Sequence, residues 1–183
     1  MKRSLTIICL SLVALVGCNS APQPNANSSA ANQNPSDLKV ETKTEAANPA
    51  QAVEISTDKI EIKAGAAGEA VVKLKIKQPF HVNANPPSEK NLIPTEISYE
   101  TAHGIAPSKA VYPNGEMKTF SFSPNKPLSV YSGETIIKIP LKVAANAEKS
   151  VHLLNGKLNV QPCDDEVCYK PQTLDVVLAV NVK

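Results

Sequence analysis

Apolar and charged residues alternate one by one along much of this chain, and that period of two restricts it to strands. In Gly68–Lys77, Val72, Leu74 and Ile76 point one way while Lys73, Lys75 and Lys77 point the other, the pattern of a strand with one buried and one wet face. The same alternation runs through Lys59–Lys63, Thr95–Tyr99, Lys118–Phe122, Glu134–Val143, Val151–Val160 and Thr173–Val182. Prolines and the Asn114-Gly115 and Asn155-Gly156 steps separate the runs, and no stretch carries the helical period. Roughly seven to nine short strands with turn signals between them predict an all-β fold, an immunoglobulin-like antiparallel β-sandwich. The chain has no tryptophan, which sets it apart from antibody-type domains and their core indole. From Val53 to Lys183 there are about 130 residues, enough for one domain with one core.

The start of the chain reads as an address rather than as structure. Lys2 and Arg3 precede an apolar run from Leu5 to Val16 that is too short for a permanent membrane span, and Leu15-Val16-Gly17-Cys18 closes it. This is a signal peptide ending in a lipobox. The pattern resembles that of bacterial lipoproteins, which implies cleavage before Cys18 and a diacylglyceryl thioether on its sulfur. By the sorting rule of enteric-type bacteria, Asn19 rather than aspartate after that position favours the outer membrane. Residues 19–52, rich in Asn, Ser, Ala, Pro, Gln, Thr and Glu, hold too few large apolar side chains to offset the entropy of ordering. They are expected to form a flexible tether with a mean reach of about 30 Å.

Composition narrows the partners. Arg3 is the only arginine, and losing Lys2 and Arg3 with the signal takes the formal charge from +2 to 0. A mature chain without a guanidinium fork is poorly equipped for bidentate phosphate contacts, so nucleic acid is not an expected partner. Of the four cysteines, Cys9 leaves with the signal and Cys18 is acylated, so Cys163 and Cys168 are the pair left for an oxidising compartment.

If the flanking runs are successive strands, Cys163 and Cys168 face each other at the mouth of a hairpin, where a Cα separation of about 5.5 Å suits a disulfide. Such a bond is a weak staple. Closing a loop of about six residues is worth about 2 kcal/mol in the chain-entropy model, against nearly 5 for about a hundred residues. A bond in a short surface hairpin is instead accessible to exchange. Asp164, Asp165 and Glu166 stand between the sulfurs. Their charge disfavours a thiolate, raises the thiol pKa and makes the pair a reductant. The bland alternative is a solvated acidic turn.

Phe80-His81-Val82-Asn83-Ala84-Asn85, Leu92-Ile93-Pro94-Thr95, Val111-Tyr112-Pro113, Leu128-Ser-Val-Tyr131-Ser-Gly133 and the Cys163–Cys168 loop with Tyr169 and Pro171 occur in one order along residues 53–183. This colinear set resembles the N-terminal periplasmic domain of the thiol:disulfide interchange protein DsbD. The resemblance implies an immunoglobulin-like sandwich whose cysteines take electrons from a membrane-linked thioredoxin-like domain and pass them to envelope oxidoreductases. It implies that Cys168 forms the mixed disulfides and Cys163 resolves them. It also implies a cap loop with an aromatic residue over the disulfide, which falls on Thr119–Leu128 with Phe122 as its candidate; Tyr169, directly after Cys168, either covers the sulfur in the same way or simply packs in the sheet. The inward-facing alternative for Phe122, a core residue of an alternating strand, stays open. That family continues into an electron channel and a thioredoxin-like domain. This chain is therefore expected to borrow its reductant from a membrane electron-channel protein of the DsbD/CcdA type and to hand it to thioredoxin-like envelope oxidoreductases.

Other chemistries find less support. His81, His103 and His152 are scattered over different runs and match no dense zinc spacing. His81, beside a strand end, reads as a hydrogen-bonded structural residue. No metal and no cofactor are expected. Two readings remain: a lipid-anchored exchange module of the bacterial envelope facing the periplasm, and a binding or structural lipoprotein domain whose disulfide pins a hairpin.

Overall fold

A computed structural model describes residues 47–183. The signal peptide, the lipidation position Cys18 and the tether up to residue 46 lie outside the described residues.

The described chain forms twelve strands in three four-stranded sheets. The first sheet holds β1 (Val53–Thr57), β3 (Ala67–Ile76), β9 (Gly133–Val143) and β6 (Ile105–Pro107), in that order. The second holds β2 (Ile60–Ile62), β12 (Gln172–Val182), β10 (Val151–Val160) and β5 (Glu96–Tyr99). The third holds β11 (Pro162–Cys163), β4 (His81–Asn83), β8 (Ser123–Tyr131) and β7 (Glu116–Phe120). A 3-10 turn at Pro49–Gln51, capped by the Asn48 side chain on Ala50 N–H, leads into β1, and Ala52 is fully buried. Among the described residues no helix is long and apolar enough to cross a membrane.

The alternation builds the core as anticipated. On β3, Ala70, Val72, Leu74 and Ile76 are buried and Lys73 and Lys75 exposed. The register sets Val72 against Ile137 and Ala70 against Ile139 of β9. On the second sheet Leu154 lies opposite Leu178, and Leu158 opposite Leu174. The inward residues of both sheets join one cluster, which makes the pair a β-sandwich. One pairing departs from the antiparallel expectation: β2 runs parallel to β12, Val180 opposite Ile60. After Thr57 the chain crosses from the first sheet to the second, and the Thr57 hydroxyl, donating to the Val177 carbonyl at 2.8 Å, helps hold the crossing.

Two sequence expectations are corrected here. The Asn155-Gly156 step is no turn but lies in the middle of β10. A Cβ at Gly156 would come within 2.3 Å of the Tyr99 ring on β5, so this glycine makes room for an aromatic ring across the strands. The run Lys118–Phe122 ends as a strand at Phe120, and β8 follows after a two-residue turn. Pro124 and Pro127 hide β8 in the sequence. They sit in its first half, ahead of Val130 and Tyr131, where β4 pairs with it, so the missing N–H groups break no ladder on that side.

Candidate functional site

Cys163 and Cys168 are bonded to each other, and the third sheet supplies their setting. β10 and β12 stay paired up to Val160 and Gln172. Pro162 and Pro171 lie just beyond the last paired residues, and neither has an N–H to donate to a continued ladder. The chain leaves β12 there, and Pro162 and Cys163 pair with Val82 and His81 of β4. It turns through Asp164–Val167 and returns with Cys168 opposite Cys163. Asp164 N–H donates to the Val167 carbonyl and Tyr169 N–H to the Pro162 carbonyl, both at 2.9 Å. The cysteines thus occupy a non-hydrogen-bonded antiparallel position, where opposite residues come closest; their Cα atoms are 4.0 Å apart. The cysteines face each other across the four-residue turn in the connection between β10 and β12, as the spacing anticipates, with Pro162 and Cys163 drawn onto β4.

The two sulfurs are not equally accessible. Cys163 is 0% exposed, while Cys168 is half-buried. The expectation of an open surface disulfide therefore holds for one cysteine only, because β11 is tucked against β4. Val167, next to Cys168, is exposed.

The three loop carboxylates have different surroundings. Asp165 and Glu166 are exposed. Asp164 is an organiser: one carboxylate oxygen accepts from Glu166 N–H and Val167 N–H, each at 2.9 Å, and the other from the Tyr169 hydroxyl at 2.5 Å. The Tyr169 hydroxyl above all, then the Glu166 N–H, hold the Asp164 carboxyl below its ordinary 3.8. The same contact pushes the Tyr169 hydroxyl upward. A carboxylate with a depressed pKa contributes its stabilisation above the unfolded value and loses it as pH falls through the folded one. The loop is therefore expected to keep its shape down to pH 3.8 and to loosen only below it. The Tyr169 ring resonances in an acid titration check this; loosening at neutral pH would contradict it.

Tyr169 does not simply lid the sulfur. Its ring packs edge-on against Phe80, centroids 5.8 Å apart at 78°, at the border of the main core. Phe122 is not a core residue: it is 40% exposed at the tip between β7 and β8. It stacks on the buried Phe120 at 5.3 Å, and Phe120 stacks on His81 at 4.0 Å. His81 is the cross-strand partner of Cys163, so a ladder of three rings leads from the tip to the strand beside the buried cysteine. Ser121 Oγ donates to the Asp165 carbonyl, fastening the tip to the cysteine loop. His81 is buried and packed as a structural residue, with no hydrogen bond to its imidazole from another described residue. Burial lowers its pKa, opposed by Asp165 and Asp164 and aided by Lys118.

Sequence reasoning placed Phe120 and Phe122 on one strand face but did not single out Phe120 or Ser121. The period-two spacing of the two rings carried the signal. The separated motif pieces do meet. Thr95 Oγ1 donates to the Asn83 carbonyl at 2.7 Å, Asn85 Nδ2 to the Thr95 carbonyl at 3.0 Å, and the Tyr131 hydroxyl to the Pro113 carbonyl at 2.9 Å. This network fixes the end of β4, hence the strand on which β11 rests. Two of the histidines read as scattered also meet: His103 and His152 stack at 5.0 Å. His152 Nε2 lies 2.8 Å from the Glu148 carbonyl, near the start of β10 and so at the opposite end of that strand from the cysteine loop.

No protein-family model matches this chain, and no curated protein does. Among solved structures it is similar to the DsbD N-terminal domain of Neisseria meningitidis in the reduced form, at 19% identity over 74% of this chain and 91% of that one, TM-score 0.47. It is similar to the N-terminal periplasmic domain of ScsB from Proteus mirabilis, at 15% identity over 70% of this chain and 45% of that one, TM-score 0.46. The seventh ScaB type I cohesin of Pseudobacteroides cellulosolvens follows at 10% identity, 72% and 92% coverage, TM-score 0.42. The domain that the sequence resembles is among the solved structures to which this chain is similar.

Proposed function

We propose that this chain is a thiol:disulfide exchange module that relays reducing equivalents through Cys163 and Cys168 to thioredoxin-like oxidoreductases of the bacterial envelope. The observation that carries the reading is the asymmetry of the pair, Cys163 fully buried and Cys168 half-buried. In the reduced form the Cys168 thiolate attacks a partner disulfide, one partner sulfur leaves as a thiolate and takes a proton, and a mixed disulfide forms. Cys163 then gives up its proton and attacks Cys168, closing the intramolecular bond and releasing the second partner sulfur. Two electrons have passed to the partner. Reduction in turn comes from a membrane electron-channel protein of the DsbD/CcdA type. The tip between β7 and β8, with Phe122 stacked on Phe120 and Ser121 bound to the loop, serves as the cap over the pair.

The test is direct transfer. Reduced protein mixed with an oxidised thioredoxin-like envelope protein is expected to become oxidised as the partner is reduced, followed by thiol alkylation and mass. No transfer would leave the disulfide as a hairpin pin and the chain as a binding or structural module.

The anchor belongs to the same proposal: Cys18 carries the lipid, the module faces the periplasm, and Asn19 favours the outer membrane. Cys18→Ser is expected to leave the chain unprocessed or released from membranes, while the native N-terminus is an acylated cysteine by mass spectrometry. An unmodified N-terminus elsewhere would remove the membrane from this reading.

A further inference from the structure

We propose that Asp164 and Tyr169 form a clamp that holds Cys163 and Cys168 within bonding reach after their disulfide is reduced, and so set the equilibrium of the exchange. The inference rests on the exchange role proposed above.

The loop is closed by a set of contacts that use no sulfur. Asp164 gathers Glu166 N–H and Val167 N–H at 2.9 Å and the Tyr169 hydroxyl at 2.5 Å. Two ladder bonds, Asp164 N–H to Val167 and Tyr169 N–H to Pro162, flank the cysteines at 2.9 Å. Gln161 Nε2 donates to the Tyr169 carbonyl at 3.0 Å. The Tyr169 ring is set edge-on against Phe80, a buried residue of the main core, so the position of its hydroxyl is fixed from outside the loop. When the S–S bond opens, these contacts remain. Hydrogen bonds to a carboxylate are among the stronger ones, and a loop kept ordered avoids the entropy of re-closing.

The thermodynamic consequence follows from linkage. In the glutathione couple, the two cysteine thiols give two electrons and two protons to oxidised glutathione, yielding the intramolecular disulfide and two molecules of glutathione. The clamp raises the effective concentration of one thiol at the other, which favours the disulfide. The disulfide must stabilise the clamp by the same factor. Asp164 and Tyr169 are thus positioning residues that make the pair a stronger reductant. This differs from a purely electrostatic loop, in which only the carboxylate charge would matter.

Tyr169→Phe separates the two, because it removes the hydroxyl and leaves every charge in place. In the full chain equilibrated with reduced and oxidised glutathione, it is expected to lower the constant for disulfide formation about tenfold, which is about 30 mV toward a more oxidising potential. Asp164→Asn keeps a carbonyl acceptor for the loop N–H groups but takes away the acceptor for Tyr169, and is expected to shift the constant in the same direction. Tyr112→Phe is the control. It removes a hydroxyl that accepts from Ile97 N–H at 2.9 Å, away from the loop, and is expected to reduce stability without moving the constant. If Tyr169→Phe reduces stability and leaves the glutathione constant unchanged, the clamp is only structural and the proposal is overturned. Loss of the exchange role itself would appear separately, as absent transfer to a thioredoxin-like protein with the glutathione constant still sensitive to Tyr169.

Discussion

Replacing Cys163 by alanine is expected to convert the protein into a covalent trap, while replacing Cys168 by alanine gives almost none. The asymmetry follows from burial. Cys168 is the half-buried sulfur and keeps its access to a partner in the Cys163→Ala variant, but the group that would release the mixed disulfide is gone. In the Cys168→Ala variant the remaining thiol is 0% exposed behind β4, so an incoming sulfur finds no line of attack. Adducts with a thioredoxin-like envelope protein, resolved by non-reducing electrophoresis and abolished by reductant, measure the difference. Both variants are expected to stay folded. Losing a bond that closes about six residues costs about 2 kcal/mol, a fraction of the roughly 5–15 kcal/mol of a typical domain. Unfolding of both variants without any trapped partner would instead identify the disulfide as structural.

Much of the fold was legible in the sequence, and the limits have physical causes. Strands with one wet face, such as β3 with its lysines and β10, declare themselves by alternation. The short strands do not. His81, Val82 and Asn83 of β4 are all buried, so their run shows no alternation, and β11 is two residues long. These are the strands that carry Cys163 and its cross-strand partner, which is why the pair could be named from sequence while its burial could not. The loop carboxylates show the same limit. Three acidic residues in a row read as one patch of charge, but the return of Tyr169 onto Asp164 gives that residue a separate role. A hydroxyl five positions away leaves no mark in the composition.

Phe120→Ala is expected to destabilise the fold far more than Phe122→Ala, although the two rings are stacked neighbours. Phe120 is 6% exposed and Phe122 40%. Phe120 also belongs to a small cluster with Leu128 and Val130, with Leu92 against it, separate from the main core. Truncating a buried phenylalanine costs about 3–5 kcal/mol, from lost transfer energy and the cavity left behind. Removing the exposed ring gives up mainly the aromatic pair, about 0.5–1.5 kcal/mol. Denaturant midpoints at constant m-value read the difference. Phe120→Ala has a second consequence that a simple cavity elsewhere would lack. Phe120 stacks on His81 at 4.0 Å, and burial is the main cause of the lowered His81 pKa. Water reaching that ring is expected to raise the His81 pKa back toward 6.5, visible in an NMR titration of the imidazole. Phe122→Ala leaves Phe120 in place and is expected to leave that titration unmoved. Equal destabilisation by the two variants, with no change at His81, would mean that the rings do not insulate the strand beside Cys163.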